Sequence, residues 1–127
     1  MSRSGAIRRL AAVLVVAMVV SSLLSLQVSA QAGKGNPAAA KPIFTQKCIA
    51  CHKADGTGGV KLTGNPTPNW KDPKTWADPK RKDVDAYLRD CITNGRPKSG
   101  MVAWGKTGLL KPAQIDDMIA FIKTFKK

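Results

Sequence analysis

Apolar positions along the chain fall into blocks of different spacing, with proline and glycine gathered between them. The first block is continuous. Leu10 to Leu26 is interrupted only by Ser21, Ser22 and Ser25, with Arg3, Arg8 and Arg9 before it and the small-residue runs Val28-Ser29-Ala30 and Ala30-Gln31-Ala32 after it. A basic head, a short apolar stretch and a small-residue exit are the layout of an export signal. A membrane-spanning helix needs about 20 apolar residues, and this run is at the short end. Residues 1–30 are therefore expected to be a signal peptide, cleaved after Ala30 or Ala32. An uncleaved anchor facing the periplasm is the alternative. Residues 31–41, rich in Ala, Gly, Lys, Asn and Pro, read as a flexible lead-in to a domain over 42–127.

Within that domain the spacing turns helical. Phe44, Cys48 and Cys51 fall at i, i+4 and i+7, so they share a face of a helix predicted from near Pro42 through Cys51. It stops in Asp55-Gly56-Thr57-Gly58-Gly59. From Val60 to Lys82, Pro66, Pro68, Pro73 and Pro79 forbid a continuous helix and disfavour a central strand. So long an irregular stretch makes sense if it wraps something. Asp83 then caps a helix whose apolar face is Val84, Tyr87, Leu88, Cys91 and Ile92, and Gly95 ends it. After a loop over 96–104, a last helix opens at Pro112 with Ile115, Met118, Ile119, Ile122 and Phe125 on one side. No period-two strand appears. The pattern predicts an all-α fold of about three to four helices with long loops.

Charge adds a statement about encounter. The 127 residues carry a formal net charge of +13; without the three arginines of the basic head, 18 Lys and Arg stand against eight Asp and no Glu, a net +10. Such a surface attracts acidic proteins or an anionic membrane face, and salt weakens the attraction. Nucleic acid is excluded as the expected partner, because no basic recognition helix or RNA-binding motif accompanies the charge.

The chemistry sits in Cys48-Ile49-Ala50-Cys51-His52. A Cys-x-x-Cys redox pair normally heads a helix in a βαβ setting, and strands are missing here. Zinc wants four ligands, whereas three Cys and one His are available and Cys91 is about forty residues away. The histidine directly after the second cysteine instead favours covalent haem attachment. On one helical turn both thiols can add to vinyl groups along one porphyrin edge, while His52 reaches the iron. A redox or structural disulfide is the remaining reading.

The sixth iron ligand is approached by elimination. His52 is the single histidine. Met118 lies among isoleucines on the last helix and reads as core. Met101 follows Gly100 in a loop, so it is the favoured second axial ligand, with a lysine, a hydroxide or an empty position as alternatives. Cys91 reads as a buried free thiol behaving like a small hydrophobe.

Taken in order, the Cys48-to-His52 motif, the loop Met101 and Ile119-Ala120-Phe121-Ile122 in a closing helix resemble a class I c-type cytochrome over roughly Lys41 to Lys127. The resemblance implies one haem c held by Cys48 and Cys51, with His52 and Met101 as metal ligands. It also implies crossed first and last helices packed through Phe44 and Phe121, and a proline carbonyl, from Pro66 or Pro68, that orients His52. Trp70 is a candidate donor to a haem propionate and Trp104 a candidate wall beside Met101. Two departures stand out: Lys111 lacks the Ser or Thr that commonly caps the last helix, and Pro42 sits where it could shorten the first.

With both axial positions filled, no small-molecule substrate reaches the iron and no bond chemistry follows, which makes the chain an electron carrier rather than an enzyme. The leading expectation is a periplasmic shuttle passing one electron at a time to acidic redox partners. A haem subunit fixed in a larger dehydrogenase or oxidase comes second. An open-site enzyme or gas sensor is the distant third.

Overall fold

The computed structural model describes residues 35–127. The expected export signal lies outside them. Five α-helices occur among the described residues: α1 (Pro37–Lys47), α2 (Ile49–His52), α3 (Pro73–Trp76), α4 (Val84–Asn94) and α5 (Pro112–Lys123). Single 3₁₀ turns lie at Pro79–Arg81 and Pro97–Ser99. None of these helices is long and apolar enough to cross a membrane. The only pairing of β type among the described residues is the isolated bridge Arg96–Met101.

Helix α1 begins five residues earlier than Pro42, so residues 37–41 are helical rather than a flexible lead-in. The cause is local. Asn36 caps the helix by accepting a hydrogen bond from the Ala38 N–H (3.0 Å), and Pro37 occupies the first turn, where its missing N–H costs nothing. Three alanines follow, with the strongest helix propensity. Pro42 is accommodated inside the helix. The inner face carries Ala40 and Phe44, both fully buried.

Helix α1 packs across α5. The Asn36 N–H donates to Asp117 Oδ1 at 2.7 Å. Gly35 lies so close to α5 that a Cβ there would stand 2.0 Å from the Asp116 carbonyl oxygen. Phe44 meets Phe121 at 5.0 Å and Phe125 at 5.8 Å between ring centroids, so the expected aromatic crossing is present. On α5, Ile115, Met118, Ile119 and Ile122 are buried as their spacing requires. Gln114 Oε1 accepts from the Lys111 N–H at 2.9 Å, the reciprocal half of a capping box. The half that a Ser or Thr would supply, a side-chain acceptor for the first-turn N–H groups, is not made by Lys111.

Helix α4 opens on Asp83, which accepts from the Ala86 N–H at 2.9 Å, and buries Leu88, Cys91 and Ile92. The proline-rich segment is more ordered than its composition suggests. Asp72-Pro73 and Asp78-Pro79 each start a turn: the aspartate accepts from the N–H two residues on, at 2.9 Å in both cases, and proline fills the first position. Those prolines initiate short helices as well as blocking long ones. Ion pairs then tie the carboxylates outward, Asp55 to Lys71, Asp85 to Lys123, Asp90 to Arg96 and Asp116 to Arg89.

Candidate haem site

Cys48 sits at the break between α1 and α2, with φ −119° and ψ −29°, and its carbonyl accepts from the N–H groups of Cys51 (3.2 Å) and His52 (2.9 Å). One turn therefore carries both thiols and the imidazole. The expected helix over this stretch is present in two pieces. All three cysteines are free. Burial pushes the Cys48 thiol up to about 11 despite the opposing pull of Lys47.

His52 is 9 % exposed. Its Nδ1 is buried with no hydrogen-bond partner, and desolvation lowers the imidazole to about 4, so the ring is neutral near pH 7 with a lone pair to offer. The ring stacks on Trp70, 4.5 Å between centroids and 9° between planes. Neither Pro66 nor Pro68 supplies the expected carbonyl to Nδ1. The Pro68 carbonyl is turned toward Gly58, where a Cβ would lie 2.2 Å from its oxygen. Thr67 binds this segment to α2 instead: its hydroxyl donates to the Cys51 carbonyl (2.8 Å) and accepts from the Val60 N–H (3.1 Å).

These side chains border a cavity of about 690 Å³. Every residue picked from the sequence as cofactor-binding lines it: Cys48, Cys51, His52, Phe44, Trp70, Trp104 and Met101. Trp104 carries the Lys47 ammonium 5.6 Å over its ring. Met101 is half-buried in a loop closed by the Arg96–Met101 bridge, while Met118, 1 % exposed on α5, also reaches the wall. Cys91 is buried as expected, and it too faces the cavity.

The lining charge is the feature that spacing alone did not disclose. Lys47, Arg81 and Arg96 are on the wall, and Asp is absent from it among the described residues. Arg81 and Arg96 stand over the Tyr87 ring at 4.9 and 5.7 Å, and Arg81 Nε is buried without a hydrogen-bond partner. Two thiols on one turn, a neutral imidazole with an unpartnered nitrogen, an aromatic lining and a cationic wall fit a flat apolar macrocycle that bears carboxylates and needs thioether anchors.

The family model for cytochrome c oxidase, cbb3-type, subunit III, matches residues 35–122. The chain belongs to that family. The domain is a c-type cytochrome of the all-α class I kind, an electron carrier with haem c attached covalently through Cys48 and Cys51. The cytochrome is 30 % identical over 111 residues to the cbb3-type cytochrome c oxidase subunit FixP of Bradyrhizobium sp. (strain ORS 278), covering 85 % of this chain and 37 % of that protein. It is 33 % identical over 87 residues to the cbb3-type cytochrome c oxidase subunit CcoP of Azospirillum sp. (strain B510), covering 67 % of this chain and 29 % of the relative. The chain thus spans about a third of the length of the curated relatives it matches. No solved structure matches it.

Proposed function

We propose that this chain is the haem-carrying, electron-transferring part of a larger oxidase assembly, exported to the periplasmic side. The alignment of 85 % of the chain with part of an oxidase subunit carries this reading. It favours the assembled form over the freely diffusing shuttle that the sequence put first. The basic surface then serves as a standing interface with acidic neighbours or an anionic membrane face. Residues 1–30 deliver the chain or anchor it there.

Bound haem supplies a one-electron couple between ferric and ferrous iron. The chain's residues set its surroundings. Cys48 and Cys51 fix one edge. His52, neutral and held flat against Trp70, would hold the iron through its ring. Met101 would hold it through its thioether, because it lies on the cavity wall in a loop, whereas Met118 is buried on α5 in the hydrophobic core. Phe44 and Trp104 would exclude water, and Arg81 would offset the carboxylate charge.

Purification from the native source in mild detergent tests the assembly. Co-elution of the haem-stained chain with oxidase subunits is the expected result. A lone monomer under the same conditions would restore the shuttle. A reduced-minus-oxidised spectrum with intact mass tests haem content, covalent linkage and the cleavage site together.

A further inference from the structure

Arg96 makes an unusual set of contacts for a residue five positions before the proposed ligand. Its peptide exchanges two hydrogen bonds with that of Met101, N–H to carbonyl at 3.0 Å one way and 3.1 Å the other. Its guanidinium reaches back onto the end of α4, donating to Asp90 Oδ2 at 2.6 Å and to the Gly95 carbonyl at 2.8 Å, and it stands over Tyr87. Asp90 is itself steadied by the Asn94 amide at 2.7 Å. Between the two ends, Gly100 closes the turn with φ +78°. A Cβ on Gly95 would fall 2.6 Å from the Met101 carbonyl oxygen, so the returning strand of the loop lies directly on the helix end. On the far side Thr63 holds the Lys98 carbonyl through its hydroxyl at 2.9 Å. The side chain of Arg96 is therefore the link between a rigid helix and the peptide paired with Met101.

We propose that Arg96, held by Asp90, is a positioning residue for Met101: it keeps the methionine loop closed against the cavity and so sets how readily the thioether leaves the iron. The proposal rests on Met101 being the second axial ligand. Charge-assisted bonds with several partners are stronger than a single exposed pair, although Asp90 remains open to water.

The holoprotein tests it through displacement of the methionine by added imidazole in the ferric state, followed by loss of the weak near-infrared band of methionine-to-iron ligation. Arg96→Gln removes the guanidinium contacts and is expected to speed displacement by about tenfold, the worth of one charge-assisted hydrogen bond. Asp90→Asn is expected to give roughly threefold, as an exposed pair should. Arg96→Lys, which keeps the charge but loses the fork, should fall between the unmodified protein and Arg96→Gln. Covalent haem content and far-ultraviolet circular dichroism establish that each variant is folded. Unchanged displacement rates in both Arg96→Gln and Asp90→Asn overturn the proposal. A band that is missing from the unmodified protein, or that survives in Met101→Ala, overturns the ligand assignment beneath it instead.

Discussion

The His52 imidazole and the Trp70 indole lie nearly parallel, 9° apart in plane and 4.5 Å apart in centre. Trp70 in turn stacks on Phe125 and approaches Phe44, so the His52 ring is backed by the same aromatic cluster that joins α1 to α5. Truncation at this position should register in both stability and site. Trp70→Ala is expected to cost about 3–5 kcal/mol, the range for a large buried aromatic, measured by denaturant unfolding. Trp70→Phe should recover most of it.

Attachment is expected to fail in a graded way. Cys48→Ser and Cys51→Ser should each leave a single thioether, and the double variant should lose covalent haem altogether. Intact mass and haem staining after denaturing electrophoresis read this directly. Haem retained covalently in the double variant would point to Cys91, the third thiol on the same wall.

Gly35 is expected to resist any side chain. Gly35→Ala places a carbon against the Asp116 backbone and must push α1 off α5, with a cost of about 1–3 kcal/mol, as for other overpacked contacts. The separate loss of the helix cap in Asn36→Ala should cost roughly 0.5–2 kcal/mol. Thermal or denaturant midpoints of the folded holoprotein measure both.

Asp55 gives a pH signature. Hydrogen bonds from the Thr57 hydroxyl and N–H, then from Lys71, hold its carboxyl down at about 2. A depressed carboxylate stabilises the fold above its ordinary value of 3.8 and loses that contribution as pH falls toward 2. Asp55→Asn should therefore flatten the dependence of unfolding midpoint on pH between those values. It should leave the difference above pH 5 independent of pH.

The motif turn and the faces of α4 and α5 were legible because each rests on spacing within one element, whereas the aromatic crossing, which joins two elements, was expected only from the family resemblance. Phe44 and Cys48 reach the same cavity by helical period alone. What escaped depended on contacts between distant segments or on short capping geometry. The helical start at Pro37 follows from Asn36 and is anchored by Asp117, whose sequence neighbours say nothing of α1. Pro73 and Pro79 were read as breaks when, each behind an aspartate, they also begin turns, since the aspartate satisfies the N–H that the proline-led turn exposes. The stacking of Trp70 on His52 and the turning of the Pro68 carbonyl toward Gly58 are set by how the wrapping segment folds back, which no local pattern encodes. Arg81 and Arg96 went unremarked because arginine in a basic chain reads as surface.

Each of the eight aspartates has a local use: Asp72, Asp78 and Asp83 begin turns or helices, Asp117 receives the Asn36 N–H, and the other four are tied to a lysine or arginine. Each carboxylate keeps its charge but is already engaged by an N–H or a cation of the same chain, so the excess of lysine and arginine sets the long-range field. At short range, the exposed apolar side chains of Leu62 and Val102 at the rim of the cavity are where a docked neighbour would exclude water.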